Sequence, residues 1–185
     1  VETRDLLRAL EEVSGRSLGR LFDQALYKPG HPELEVTLAW ERGVLAVTVK
    51  QTQSATDGVP SAFEVPLMLH IFAEGGAAPR EERLVVAQRI EHLAVPCAER
   101  PAFVVVDPRM RIVGDVKVKA PRDLLRAQLA SAPTARGRWL AAMALASADD
   151  PASLGALAAR LSDTAEHWTV RVECAEALGA KRLPE

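Results

Sequence analysis

Four histidines, two cysteines and one tyrosine are the side chains of this sequence best suited to hold a metal, attack a carbonyl or move a proton. His31, His70, His92 and His167 are scattered along the chain, and none has a second histidine one helix turn away. Glu91-His92 and Glu166-His167 are adjacent pairs, but neighbours point to opposite faces of a strand and diverge by about 100° on a helix. H-E-x-x-H, which sets two zinc ligands on one helix face, is absent. So are the nucleophile elbow G-x-S-x-G and the phosphate-cradling G-x-x-x-x-G-K-[ST] and G-x-G-x-x-G. No catalytic, cofactor-binding or metal-binding residue is therefore assigned, and the histidines are expected in solvated or hydrogen-bonded roles. Cys97 and Cys174 lie in separate segments, which fits buried free thiols better than a disulfide or a zinc ribbon. "EVSGRSLGR" at 12–20 carries two arginines beside a helix start and so could hold an anion. Gly15 as the stop of one helix and Ser17 as the cap of the next account for the same residues more simply.

The elements that would position any such side chain fall into three rhythms. Leu6, Leu7, Leu10 and Val13 recur at helical spacing, as do Leu18, Leu21, Phe22, Ala25 and Leu26 after Gly15. Pro29 and Gly30 then end this helical hairpin near Tyr27, because proline restricts its predecessor to extended backbone. From Glu33 the period becomes two, with Leu34, Val36, Leu38 and Trp40 on one side. Val44 to Gln53 follows as a partner strand after the turn at Arg42 and Gly43. Phe63 to Ile71 alternates again, Leu84 to Ile90 continues more raggedly, and "AFVVVD" with "RIVGDVKV" reads as a last hairpin. About six strands joined by polar turns, with no helix between them, predict an antiparallel β-sandwich. Met68, His70 and Phe72 share the strand face opposite the main apolar row, so another domain or a loop should cover that face.

Past Pro121 the spacing is helical to the end. "RWLAAMALA" at 138–146 matches "RVECAEALG" at 171–179, a period of about 33 residues, and Leu125 and Leu129 correspond to Leu157 and Leu161. Two stacked helix pairs result, each needing a neighbour to bury its apolar face. The ankyrin and tetratricopeptide patterns are absent, which leaves HEAT-like repeats. The predicted fold is thus multidomain α and β. It has terminal helices over 1–30, a β-sandwich over 31–119 and a truncated HEAT-like array over 120–185, as part of something longer.

Composition narrows the function classes. The 185 residues are 48% hydrophobic and 26% charged, with a formal charge of −2, so no strong field points to nucleic acid or a membrane surface. "DVKVKAPR" at 115–122 lacks aromatic interleaving and reads as a solvated basic face. No apolar run reaches the roughly 18 residues of a membrane span. A cytoplasmic location is the expectation.

The wording "ALEEVSGRSLGRLFDQALYKPGHPELEV", with "VTVKQTQ", "VPLMLHI", "FVVVDPRMRIVG" and "EHWTVRVECAEALG", resembles the post-catalytic region of the aminopeptidase N family of zinc metallopeptidases. The resemblance implies that the first helices close a thermolysin-like catalytic domain, that residues 29–33 are the hinge into a β-sandwich, and that a helical solenoid follows. It also implies a parent with zinc, a peptide substrate, and two partners for this chain: the preceding catalytic domain and further helical repeats. The family's H-E-x-x-H, G-x-M-E-N stretch and catalytic tyrosine have no counterparts here, and Tyr27 has no matching role. One position departs from the family pattern, which carries tryptophan in "FFDQW" where this chain has Ala25. If that site is buried, the loss of an indole would cost about 3 to 5 kcal/mol. The expected role is a non-catalytic brace that shapes substrate access. A catalytically dead scaffold of the same architecture is an alternative, and a free-standing adaptor that binds a partner on its helical face is a third reading.

Overall fold

A computed structural model describes residues 2–76 and 78–180. The chain begins with α1 (Thr3–Ser14), which Gly15 ends in the left-handed region while its N–H returns to the Glu11 carbonyl. α2 (Gly19–Phe22) follows and continues as a π-helical turn over Asp23–Tyr27. Ser17 does not cap α2. Leu18 takes the cap position, and its N–H is satisfied instead by the Glu11 carboxylate at 2.6 Å. Phe22 is the buried residue of these first helical turns, and the Gln24 amide exchanges hydrogen bonds with the Glu64 backbone, fastening the π-helical turn beside the sheets. Lys28 is extended as Pro29 requires, and Gly30 turns the chain with positive φ where a side chain would meet Val59.

Seven strands follow: β1 (Glu33–Glu41), β2 (Val44–Gln51), β3 (Val65–Phe72), β4 (Arg80–Val86), β5 (Ile90–Pro96), β6 (Phe103–Val106) and β7 (Asp115–Lys119). They form a four-stranded sheet in the order β5-β2-β1-β7 and a three-stranded sheet in the order β4-β3-β6. Arg42 and Gly43 both take positive φ, the geometry of the two-residue hairpin turn that joins β1 to β2. The alternating residues Leu34, Val36, Leu38, Leu45, Val47 and Val49 of one sheet share an apolar core with Val65, Leu67, Leu69, Ile71, Val104 and Val106 of the other. Gln51, fully buried, pairs both amide atoms with the Phe63 backbone and so holds the intervening loop down.

Three expectations change here. The ragged stretch 84–90 is the end of β4, a turn, and the start of β5, which crosses to the other sheet. Glu91 accepts hydrogen bonds from Ala87 and Gln88 N–H and stabilises that turn. "AFVVVD" and "RIVGDVKV" do not form a hairpin, since β6 and β7 lie in different sheets. The buried Asp107 carboxylate accepts from the Arg111 and Ile112 N–H groups and bends the chain away from β6. Finally, β7 runs parallel to β1, so this sheet is mixed where an antiparallel one was expected.

Helices α3 (Arg122–Ser131), α4 (Ala135–Leu145), α5 (Pro151–Ser162) and α6 (Trp168–Gly179) close the chain. Thr134 caps α4 and Asp150 caps α5, with Pro151 at the first helical position where its missing N–H is harmless. Leu125, Leu129, Ala141, Leu145, Leu157, Val170 and Cys174 form their core. A third apolar cluster joins Phe72, Phe103 and Val105 to Ala132 and Leu140. It explains two sequence features. β6 is an unbroken apolar run because its residues alternate between the inter-sheet core and the helices. Phe72 on the reverse face of β3 is covered by the helical part of the same chain.

Candidate functional site

The four histidines do not gather in one donor group. His92 pairs its Nδ1 with the Thr48 hydroxyl at 3.1 Å on the open face of the sheet, on the opposite side from Glu91. His167 accepts from the Thr169 N–H and so caps α6. His70 Nε2 lies 3.2 Å from Glu81, which Arg109 also holds at 2.7 Å. His92 and His167 thus have local structural tasks. The zinc set of the resembled family needs two histidines on one helix and a glutamate. No described helix carries such a pair, so the histidines do not reproduce that helix-borne arrangement.

The thiols are no better placed for chemistry. Both cysteines are buried and free. Burial pushes the Cys174 thiol up to about 11, so it stays protonated and unreactive. Tyr27 is exposed and stands alone in the junction.

The structure does gather one donor group that spacing did not reveal. His31, Glu33 and Asp115 each offer a ligand atom, and these atoms all lie within 4.8 Å of one another. The signal available in the sequence was weak: His31 and Glu33 sit two apart on extended backbone, but the third member depends on the parallel pairing of β7.

A second feature is an apolar surface at the opposite end of the chain from α6. No residue of α1 is buried, although its leucines form a stripe, and Val13 is 89% exposed. Separately, Leu21, Ala25, Pro32, Pro66, Ile112 and Val113 line a groove of about 240 Å³ between the 19–27 helical turns and the sheets. Ala25 is exposed at its wall, so the cost attached to losing a buried tryptophan does not apply.

No family model matches the chain, and no curated protein does. A solved structure of Legionella pneumophila aminopeptidase A in complex with aspartic acid does resemble it, with a TM-score of 0.68 and 18% identity. The match takes in 100% of this chain and 23% of that one. The likeness is one of fold. This chain thus spans less than a quarter of that protein's length. Among the described residues, no helix is long and apolar enough to cross a membrane.

Proposed function

We propose that this chain is a non-catalytic portion of a zinc aminopeptidase. In this reading residues 1–30 close a catalytic domain, 31–119 are a β-sandwich spacer, and 120–185 are HEAT-like repeats that help wall off the active site. The observation that carries it is the alignment of the entire chain with under a quarter of an aminopeptidase. Physical features agree with it. The α1 stripe and the groove beside Ala25 are apolar surfaces of the kind that a neighbouring domain covers. The shared core of the two sheets suits a rigid spacer. The two helix pairs stack through α3 on α5 and α4 on α6, as repeats in a solenoid do.

The chemistry of such a parent is metal-assisted hydrolysis, in which zinc activates a water and a glutamate acts as base. This chain contributes none of those groups and acts on peptide substrates only by shaping their access. Its partners are the preceding catalytic domain and the helical repeats that follow.

Two measurements test this. The purified chain should release nothing from aminoacyl chromogenic substrates, and zinc-dependent turnover would overturn the non-catalytic role. The reading frame ahead of residue 1 should encode H-E-x-x-H; its absence would remove the peptidase assignment.

A further inference from the structure

The outward face of the four-stranded sheet is built from alternate residues of each strand, and at its β1–β7 edge the register sets one like-charged pair and one unlike pair opposite each other. Glu33 pairs with Asp115 and Glu35 with Lys117. The second of these positions is compensated: Lys119 holds Glu35 at 2.8 Å and, with Lys50 and Lys117 nearby, draws its carboxyl below the usual range. The first is not. Among the described residues neither Glu33 nor Asp115 pairs with a lysine or arginine, and two carboxylates directly opposite across strands repel.

The repulsion is not relieved by separation, because the backbone holds the strands together there. Asp115 N–H donates to the Pro32 carbonyl at 3.0 Å. Gly114 lies so close that a Cβ on it would collide with the same carbonyl oxygen. His31 completes the group. Pro32 restricts it to extended backbone, which brings its ring to the side that Glu33 faces. Its Nε2 sits 3.7 Å from Asp115 Oδ2.

We propose that His31, Glu33 and Asp115 bind a divalent transition cation such as zinc. One imidazole nitrogen and two carboxylate oxygens form a donor set that zinc accepts, with water filling the open position. The cation neutralises the opposed carboxylates. Because His31 lies in the junction after the helical hairpin and Asp115 starts the strand paired with β1, bound metal ties the junction to the sheet edge. This inference rests on the β1–β7 edge alone and stands whether or not the chain belongs to a peptidase.

Calorimetric titration of the full chain with zinc chloride in a chelator-free buffer tests it. One equivalent should bind. His31→Gln and Asp115→Asn should each weaken binding by about tenfold or more, the scale of losing even an outer partner of a metal ligand. His92→Gln, on the same open face, should leave it unchanged. Broadening of the His31 ring resonances by cobalt(II) gives a second readout on the unaltered chain, independent of how any variant folds. Absence of binding at millimolar zinc, affinity unmoved by His31→Gln, or cobalt broadening confined to other histidines would each overturn the site.

Discussion

Arg138 clasps Glu166 at two points, Nε to Oε2 at 2.5 Å and Nη2 to Oε1 at 2.8 Å. The Glu166 side chain is fully buried, and Arg160 approaches it at 3.3 Å. Arg138 also donates to the Ala132 carbonyl at the end of α3. One guanidinium therefore ties the first helix pair to the loop of the second. Its counterpart Arg171 does the first half of this task, donating to the Leu161 carbonyl at the end of α5. The repeated arginine is thus explained by helix ends that leave carbonyls unpaired.

Glu166→Ala should lower stability by about 3 kcal/mol, the lower end for breaking a buried pair, because Arg138 keeps some exposure. Urea unfolding of variant and parent chain measures it, and a loss indistinguishable from a surface substitution would contradict the clasp.

The same pair predicts acid sensitivity. The Arg138 hydrogen bonds hold the Glu166 carboxyl below its ordinary 4.5, against the opposing effect of burial. A group with a lowered folded-state pKa contributes its stability above the unfolded value and loses it as pH falls through the folded one. Stability should therefore decline below about pH 4.5, and less steeply in Glu166→Gln. Melting temperatures at stepped pH compare the two.

Cys174 should resist a thiol reagent in the native chain and react only on unfolding, since its protonated thiol is buried beneath α4 and α5. Colour release with and without denaturant reads this directly; fast native-state labelling of Cys174 would refute it.

Phe103→Ala should cost about 3 to 5 kcal/mol. The ring stacks on Phe72 at 4.5 Å between centroids and lies in the cluster that joins the sheet to Ala132 and Leu140. Thermal unfolding followed by helix and strand signals measures the loss, which should appear in both.

Gly114→Ala should destabilise by about 1 to 3 kcal/mol through overpacking, since the added methyl displaces the Pro32 carbonyl and loosens the β1–β7 pairing. By contrast Leu10→Gln on the open stripe of α1 should change stability by less than about 0.5 kcal/mol. Denaturant midpoints rank the two.

Comparison of the repeats shows how local pattern and packing divide the work. Leu140 in α4 corresponds to Glu173 in α6, although the segments otherwise match. Leu140 is buried because the first helix pair lies against the sheet. Glu173 occupies the equivalent place without a sheet beneath it. Its carboxyl is nevertheless pushed up by partial burial.

The amino-acid sequence alone determined where backbone changes period: helical to Tyr27, alternating through the strands, helical again past Pro121. Apolar spacing states which residues leave water, and Gly15, Pro29 and the Arg42-Gly43 turn punctuate it through backbone sterics. Tertiary structure alone decided which surfaces receive those residues. The parallel union of β1 with β7, the helices over Phe72 and Phe103, and the meeting of His31 and Glu33 with Asp115 all join segments distant in the chain. An alternating strand fixes its buried face but not its neighbour, because any strand of matching register satisfies the same hydrogen bonds; the neighbour is chosen by packing of the whole chain.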